Sequence, residues 1–162
     1  MDDRVAQANR LSQKDKDEQA LQILREVLAG EPDNAAANFA CARALDGSDR
    51  EREAIPHYER AIGNGLSGDE LEEAMINLGS SYRAVGEYSK AVEVLREGLT
   101  RYPKNQALRA FLAMGLYNFG EHGEAMELLL HSLTETSCDQ WMASYKPAID
   151  FYSDKLDETW PG

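Results

Sequence analysis

Cysteine is nearly absent from this 162-residue chain: Cys41 and Cys138 are its only two. Without paired spacing they exclude a disulfide framework and any Cys-x-x-Cys metal or redox site, so both are expected to be free thiols, Cys41 at a core position. Positive charge is scarce as well, with 17 Lys and Arg against 29 Asp and Glu and a net charge of −12. A chain of that sign has no cationic stripe with which to release phosphate counterions, so nucleic acid is excluded as a partner. An anionic membrane surface repels it too. No apolar run reaches the roughly 18 residues that a membrane-crossing helix needs. The opening Met1-Asp2-Asp3-Arg4 lacks the basic-then-apolar order of a secretory signal, and the expected location is cytoplasmic.

Catalytic and metal motifs are missing in the same way. His57, His122 and His131 are scattered, with no His-Glu-x-x-His or Cys-x-x-Cys arrangement to ligate a metal. The glycine-rich stretch Gly63 to Gly68 is followed by no Gly-Lys-Ser/Thr, which removes a phosphate-binding loop. Acidic pairs such as Glu72-Glu73 reflect the composition and single out no acid and base. Neither a catalytic residue, a metal nor a cofactor is expected.

Periodicity is abundant. Ala20, Ala54, Ala91 and Ala125 recur about every 34 residues, with one slip of three between the second and third, and self-similarity at this period marks a helical repeat array. Windows 1–34, 35–68, 72–105 and 106–139 align. The eighth position is always small (Ala8, Ala42, Gly79, Ala113), while the twenty-fourth is always bulky (Leu24, Tyr58, Leu95, Leu129), as is the twenty-eighth (Leu28, Ile62, Leu99, Leu133). Helices that cross closely need small residues at the crossing and large ones around it. Each window predicts helix A, a turn (at Asp15, Gly47 to Asp49, Gly86 and Gly120) and helix B, with Pro32 and Pro103 ending two of the B helices. Pro56 predicts a bent or delayed second B helix. The slip falls in Gly63 to Gly68, predicted as a loop that bulges from the stack before Asp69, a good N-cap.

Beyond the fourth window, Trp141, Tyr145, Ala148, Ile149, Tyr152 and Leu156 share one helical face. A capping helix over 140–158, kinked at Pro147, is predicted to lay that face on the fourth pair and turn Asp150, Asp154, Lys155 and Asp157 to water. The first A helix, with polar Asp3 and Gln7, suits the opposite end, and both ends are expected to be finished. From Glu121 onward nine acidic residues face only Lys146 and Lys155, a solvated outer surface or a docking face for a basic partner.

Met75, Leu78, Gly79 and Tyr82, then Ala91 and Leu95, then Pro103 resemble the tetratricopeptide repeat (TPR), whose pattern is Trp-x2-Leu-Gly-x2-Tyr, Ala-x3-Phe and Pro. Met75 replaces the Trp and Leu95 the Phe; the second window has Cys41 for the Leu and Leu66 for the Pro. Tyr58, Glu59, Ala61, Gly65, Leu66 and Gly68, followed by a helix from Asp69, are similar to a small bacterial group, the tetratricopeptide group 5 proteins. The resemblance spans 1–139 and implies an all-α, right-handed superhelical solenoid of four helix pairs, a single domain over 1–162 with the capping helix at its end.

It also implies a function. A helices of such arrays line a concave groove, and transferring the family's groove positions selects Phe39, Arg43, Asp46, Ile76, Asn77, Ser80, Arg83, Ala110, Met114 and Tyr117, with Val5, Asn9 and Ser12 at the first repeat. The Lys-x3-Asn and Lys-x3-Arg pairs of carboxylate-clamp modules are absent: the corresponding residues are Val5 with Asn9, Phe39 with Arg43, Ile76 with Ser80 and Ala110 with Met114. The expected role is a non-enzymatic protein-interaction module that holds a partner's peptide by apolar anchors, with Arg43 and Arg83 bonding an acidic group. The alternative is structural, a homodimer formed through the C-terminal helix or an array edge, motivated by Trp141, Phe151 and Trp160.

Overall fold

A computed structural model describes residues 3–159, which form nine α-helices and no strand. In order they are α1 (Asp3–Ser12), α2 (Asp17–Gly30), α3 (Ala35–Asp46), α4 (Glu51–Gly63), α5 (Gly68–Ala84), α6 (Tyr88–Arg101), α7 (Gln106–Phe119), α8 (His122–Thr136) and α9 (Gln140–Tyr152). The odd helices through α7 are A helices and the even ones B helices, giving the four pairs that the 34-residue period predicts. Trp160, one of the residues behind the self-association reading, lies outside the described residues.

Each turn within a pair uses the same device. Asp15, Asp49, Gly86 and Gly120 occupy one repeat position, and all four have positive φ, at 56°, 56°, 86° and 99°. Glycine adopts that conformation without strain and aspartate is among the few other residues that tolerate it. Between pairs, Asn34 and Asn105 cap the next A helix by accepting from the backbone N–H of Ala37 and Leu108. These caps satisfy amides that a helix N-terminus otherwise leaves unpaired.

The crossing logic holds most tightly in the third pair, where fully buried Leu95 lies directly over Gly79. Leu95 shares an apolar cluster with Leu108, Leu112 and Leu116, and the larger core cluster holds Leu21, Leu24, Leu45 and Leu78. Cys41 sits in that core as a free thiol whose pKa is pushed up to about 11 by burial; Cys138 is free and exposed. Asn38 is also wholly buried, and donates to the carbonyls of Pro32 and Asn34 while its own carbonyl meets His57 Nδ1 at 2.9 Å.

Three local expectations change. The slip of three makes no bulge: α5 begins at Gly68, and its 17 residues outnumber the 12 of α3 and the 14 of α7. The added residues lengthen α5 by its first turn because buried Leu66 anchors the loop, its N–H bonding the Ala61 carbonyl. Asp69 consequently sits inside that turn, and Ser67 takes the N-cap place. Pro56 leaves α4 continuous from Glu51 to Gly63; the amide it lacks would have bonded a carbonyl only one turn from the helix start.

The largest correction concerns the C-terminal end, where α9 is turned the opposite way. Its polar side faces α8: Thr134 Oγ1 donates to Asp150 at 2.9 Å, Lys146 pairs with Asp150 at 3.0 Å, and Ser153 Oγ meets His131 Nε2 at 2.9 Å. Trp141, Tyr145, Ala148, Tyr152 and Leu156 are exposed, and no residue within α9 is buried. The N-cap Asp139 falls at the repeat position of Asn34 and Asn105, so α9 starts in register as a fifth A helix. Yet it carries Pro147 where the other A helices have Ala or Gly, and Asp150 where they have Leu or Tyr. That side cannot pack as an A helix does. The fourth pair is therefore left unfinished.

Candidate functional site: the A-helix face

The backbone of each A helix lies close to that of the next A helix (α1 to α3, α3 to α5, α5 to α7), whereas among the described residues the B helices stand further apart, Arg96 of α6 reaching Glu124 of α8 only through its long side chain. Elements that crowd together on one side and spread on the other curve the stack, with the A helices inside the curve.

The selected residues divide by what they touch. Phe39 is only 3% exposed; its ring is 6.3 Å from that of Tyr58 and lies under the Arg43 guanidinium at 5.6 Å. It is thus a core residue, and it serves the face by supporting Arg43. Asp46 bridges three helices, accepting from Ser81 Oγ of α5 at 2.9 Å and from the Tyr58 hydroxyl of α4 at 3.4 Å. Burial holds its carboxyl above the ordinary range despite those two bonds. Asn77 is half-buried beside the same Tyr58 side chain. Asp46 is accordingly engaged in tying α3, α4 and α5 together.

Arg43, Ser80 and Met114 form the accessible row, one residue from each of three successive A helices. Arg43 is exposed and pairs with Glu73 of α5 at 3.2 Å, the ion pair that keeps it against the face. Ser80, Ile76, Arg83 and Ala110 are half-buried, with Ile76 packed on the apolar cluster beneath. Arg83 Nε is buried without a hydrogen-bond partner. Met114 and Tyr117 stand out into solvent. At the first repeat Val5 is buried, while Asn9 and Ser12 share a small polar pocket with Arg43.

The family model described as "Tetratrico peptide repeat", in its group 5 form, matches residues 35–156, about three quarters of the chain. The chain belongs to the tetratricopeptide repeat family. Solved TPR structures share the fold at low identity: MamA from Desulfovibrio magneticus RS-1 has a TM-score of 0.74 at 14% identity, covering 97% of this chain and 89% of its own. YrrB, described as a TPR protein with an unusual peptide-binding site, has 0.74 at 18%, covering 94% and 80%. PilF of Pseudomonas aeruginosa has 0.68 at 20%, covering 99% and 77%. No curated protein matches the sequence.

One part of this TPR surface escaped the sequence reading. A slot of about 350 Å³ runs between α7 and α8, lined among others by Arg83, Met114, Tyr117, His122, Met126 and Leu129. His122 lies against the Tyr117 ring with centroids 4.8 Å apart. Leu129 is 44% exposed, although its repeat equivalents Leu24, Tyr58 and Leu95 are 1%, 0% and 0%. In the stack the next A helix packs over this position, as Gly115 of α7 does over Leu95, whereas among the described residues Leu129 is left open. The signal was present in Pro147 and Asp150, which break the small and bulky pattern that a covering helix needs.

The described residues contain no group of three or more His, Cys, Asp or Glu placed to hold a metal. Among them, no helix is long and apolar enough to cross a membrane.

Proposed function

We propose that this TPR chain is a non-enzymatic interaction module that holds an extended or helical peptide of a partner protein along its A-helix face. The observation that carries the proposal is the row Arg43, Ser80 and Met114, open on three consecutive A helices above an apolar floor that includes Ile76. Such a row presents one contact per repeat to a linear ligand, which is how concave solenoid surfaces bind. Arg43 and Arg83 supply charge-assisted donors for a carboxylate of the peptide, and YrrB offers a precedent for a peptide site in this fold.

Capture from lysate by wild type and by an Arg43→Glu, Ser80→Arg double variant tests it. Arg43 is exposed and Ser80 half-buried, neither in the core, so circular dichroism is expected to be unchanged while the captured partner is lost. Identical partners from two equally folded proteins would contradict the reading. Self-association is the second reading, favoured by the outward stripe of α9.

A further inference from the structure

The fourth helix pair has an apolar slot without a helix, and α9 has an apolar stripe without a slot. We propose that two copies of the chain exchange them, the Trp141, Tyr145 and Ala148 stripe of each α9 filling the α7/α8 slot of the other copy. This rests on the self-association reading; the slot shares Met114 and Arg83 with the peptide row, while Arg43 and Ser80 lie outside it.

The slot needs a helix. Leu129 and Met126 stand where earlier repeats are covered by the next A helix, and both are exposed together with Met114 and Tyr117. Apolar side chains left in one contiguous patch mark a contact surface. The chain's own α9 is prevented from filling it in the regular way. Only Ser137, Cys138 and Asp139 separate it from α8, a link that spans about 10 Å at full extension, and the side it turns inward carries Asp150 and Lys146 in an ion pair. A copy's α9 arrives without that link and can present its other side.

That other side fits. Residues 141, 145 and 148 fall within one narrow sector of the helix, carry no charge, and are all exposed, Trp141 at 65%. With 13 residues α9 matches α3 and α7, the 12- and 14-residue helices that fill the equivalent place three pairs and one pair earlier. Charge agrees as well. The slot lining includes Arg83 and His122 but no carboxylate, in a chain with 29 of them, whereas α9 is followed by exposed Asp157 and Glu158. Each copy offers one slot and one stripe, and reciprocal exchange between two copies uses both and closes as a two-fold dimer.

Light scattering on the full chain over about 1 to 100 µM, a span that brackets micromolar association, measures the dimer. The slot variant is Met126→Glu with Leu129→Glu, and Tyr117→Asp is a second slot variant at a 65% exposed position should the first disturb α8. The stripe variant is Trp141→Asp with Tyr145→Asp. Wild type is expected to dimerise, and each variant alone to weaken the dimer about tenfold or more, since charges then enter the buried centre of the interface. An equimolar mixture of slot and stripe variants is expected to form a heterodimer, because one intact slot and one intact stripe still meet. A monomer throughout the range overturns both this inference and self-association. A dimer that neither variant weakens overturns the exchange and assigns the contact to another edge. Failure of the folded variants to pair when mixed also overturns the exchange.

Discussion

Gly79 sets the spacing of the third helix pair, and adding one methyl group there has a calculable effect. A Cβ at Gly79 would lie 2.3 Å from Leu95 Cγ and 2.6 and 2.8 Å from its two methyl carbons. Leu95 is fully buried, so it can yield only by leaving its rotamer or pushing α5 and α6 apart. Overpacking of this kind costs about 1 to 3 kcal/mol, while alanine gains about 0.5 to 1 kcal/mol over glycine within a helix. The first effect wins. Gly79→Ala is expected to destabilise by about 1 kcal/mol, lowering the melting temperature by about 2 to 4 °C for a chain of this size. Leu95→Ala alone is expected to cost about 2 to 5 kcal/mol. In that background, however, the clash is gone, and Gly79→Ala should become stabilising by about 0.5 to 1 kcal/mol. Urea titration of the four proteins of this cycle, followed by far-UV circular dichroism, reads out the sign. A Gly79→Ala variant more stable than wild type, or one equally destabilised with and without Leu95, would refute the packing argument.

Three further outcomes follow from the same structure. At Asp49, which holds positive φ, glycine is expected to stabilise by about 0.5 to 1 kcal/mol, and Gly86→Ala to destabilise by a similar amount through backbone strain alone; melting temperatures moving the opposite way would contradict the turn assignment. A thiol-specific chromogenic reagent at mildly alkaline pH should label Cys138 quickly in native protein and Cys41 only after denaturant, since Cys41 is buried and its pKa is raised; rapid labelling of both native thiols would count against the core placement. Asp46 binds its proton more tightly in the folded chain than in the unfolded one. Its contribution therefore favours folding at low pH and is lost as pH rises through the folded value. Relative to Asp46→Asn, wild type should gain stability on acidification from about pH 7 to pH 4, and a constant difference between the two would show that Asp46 titrates normally.

Repeat features with a local cause were legible in the sequence. The turn position announces itself as Asp or Gly because both suit its positive φ, and the alanine and glycine at the eighth position mark where helices cross. Groove membership was less legible. A position known to face the inside of an array still depends on its neighbours: Phe39 is buried because Tyr58 and Arg43 close over it, and Asp46 is engaged because α4 carries a tyrosine and α5 a serine within reach. The C-terminal end misled for a different reason. Amphipathic spacing in α9 identifies its apolar side but not the direction in which that side points, and the pairings of Thr134 and His131 with Asp150, Lys146 and Ser153 hold the polar side inward. The lengthened α5 was hidden by glycines at 63, 65 and 68, whose usual meaning is a loop.

The central claim is that partners lie along the A helices. A photo-crosslinking residue placed at Ser80, on the accessible row of α5, tests it against the same residue at Glu93, exposed on the B helix α6. With peptide capture read out by mass spectrometry, partner peptides are expected from the Ser80 site and not from Glu93. Crosslinks from Glu93 with none from Ser80 would contradict the account.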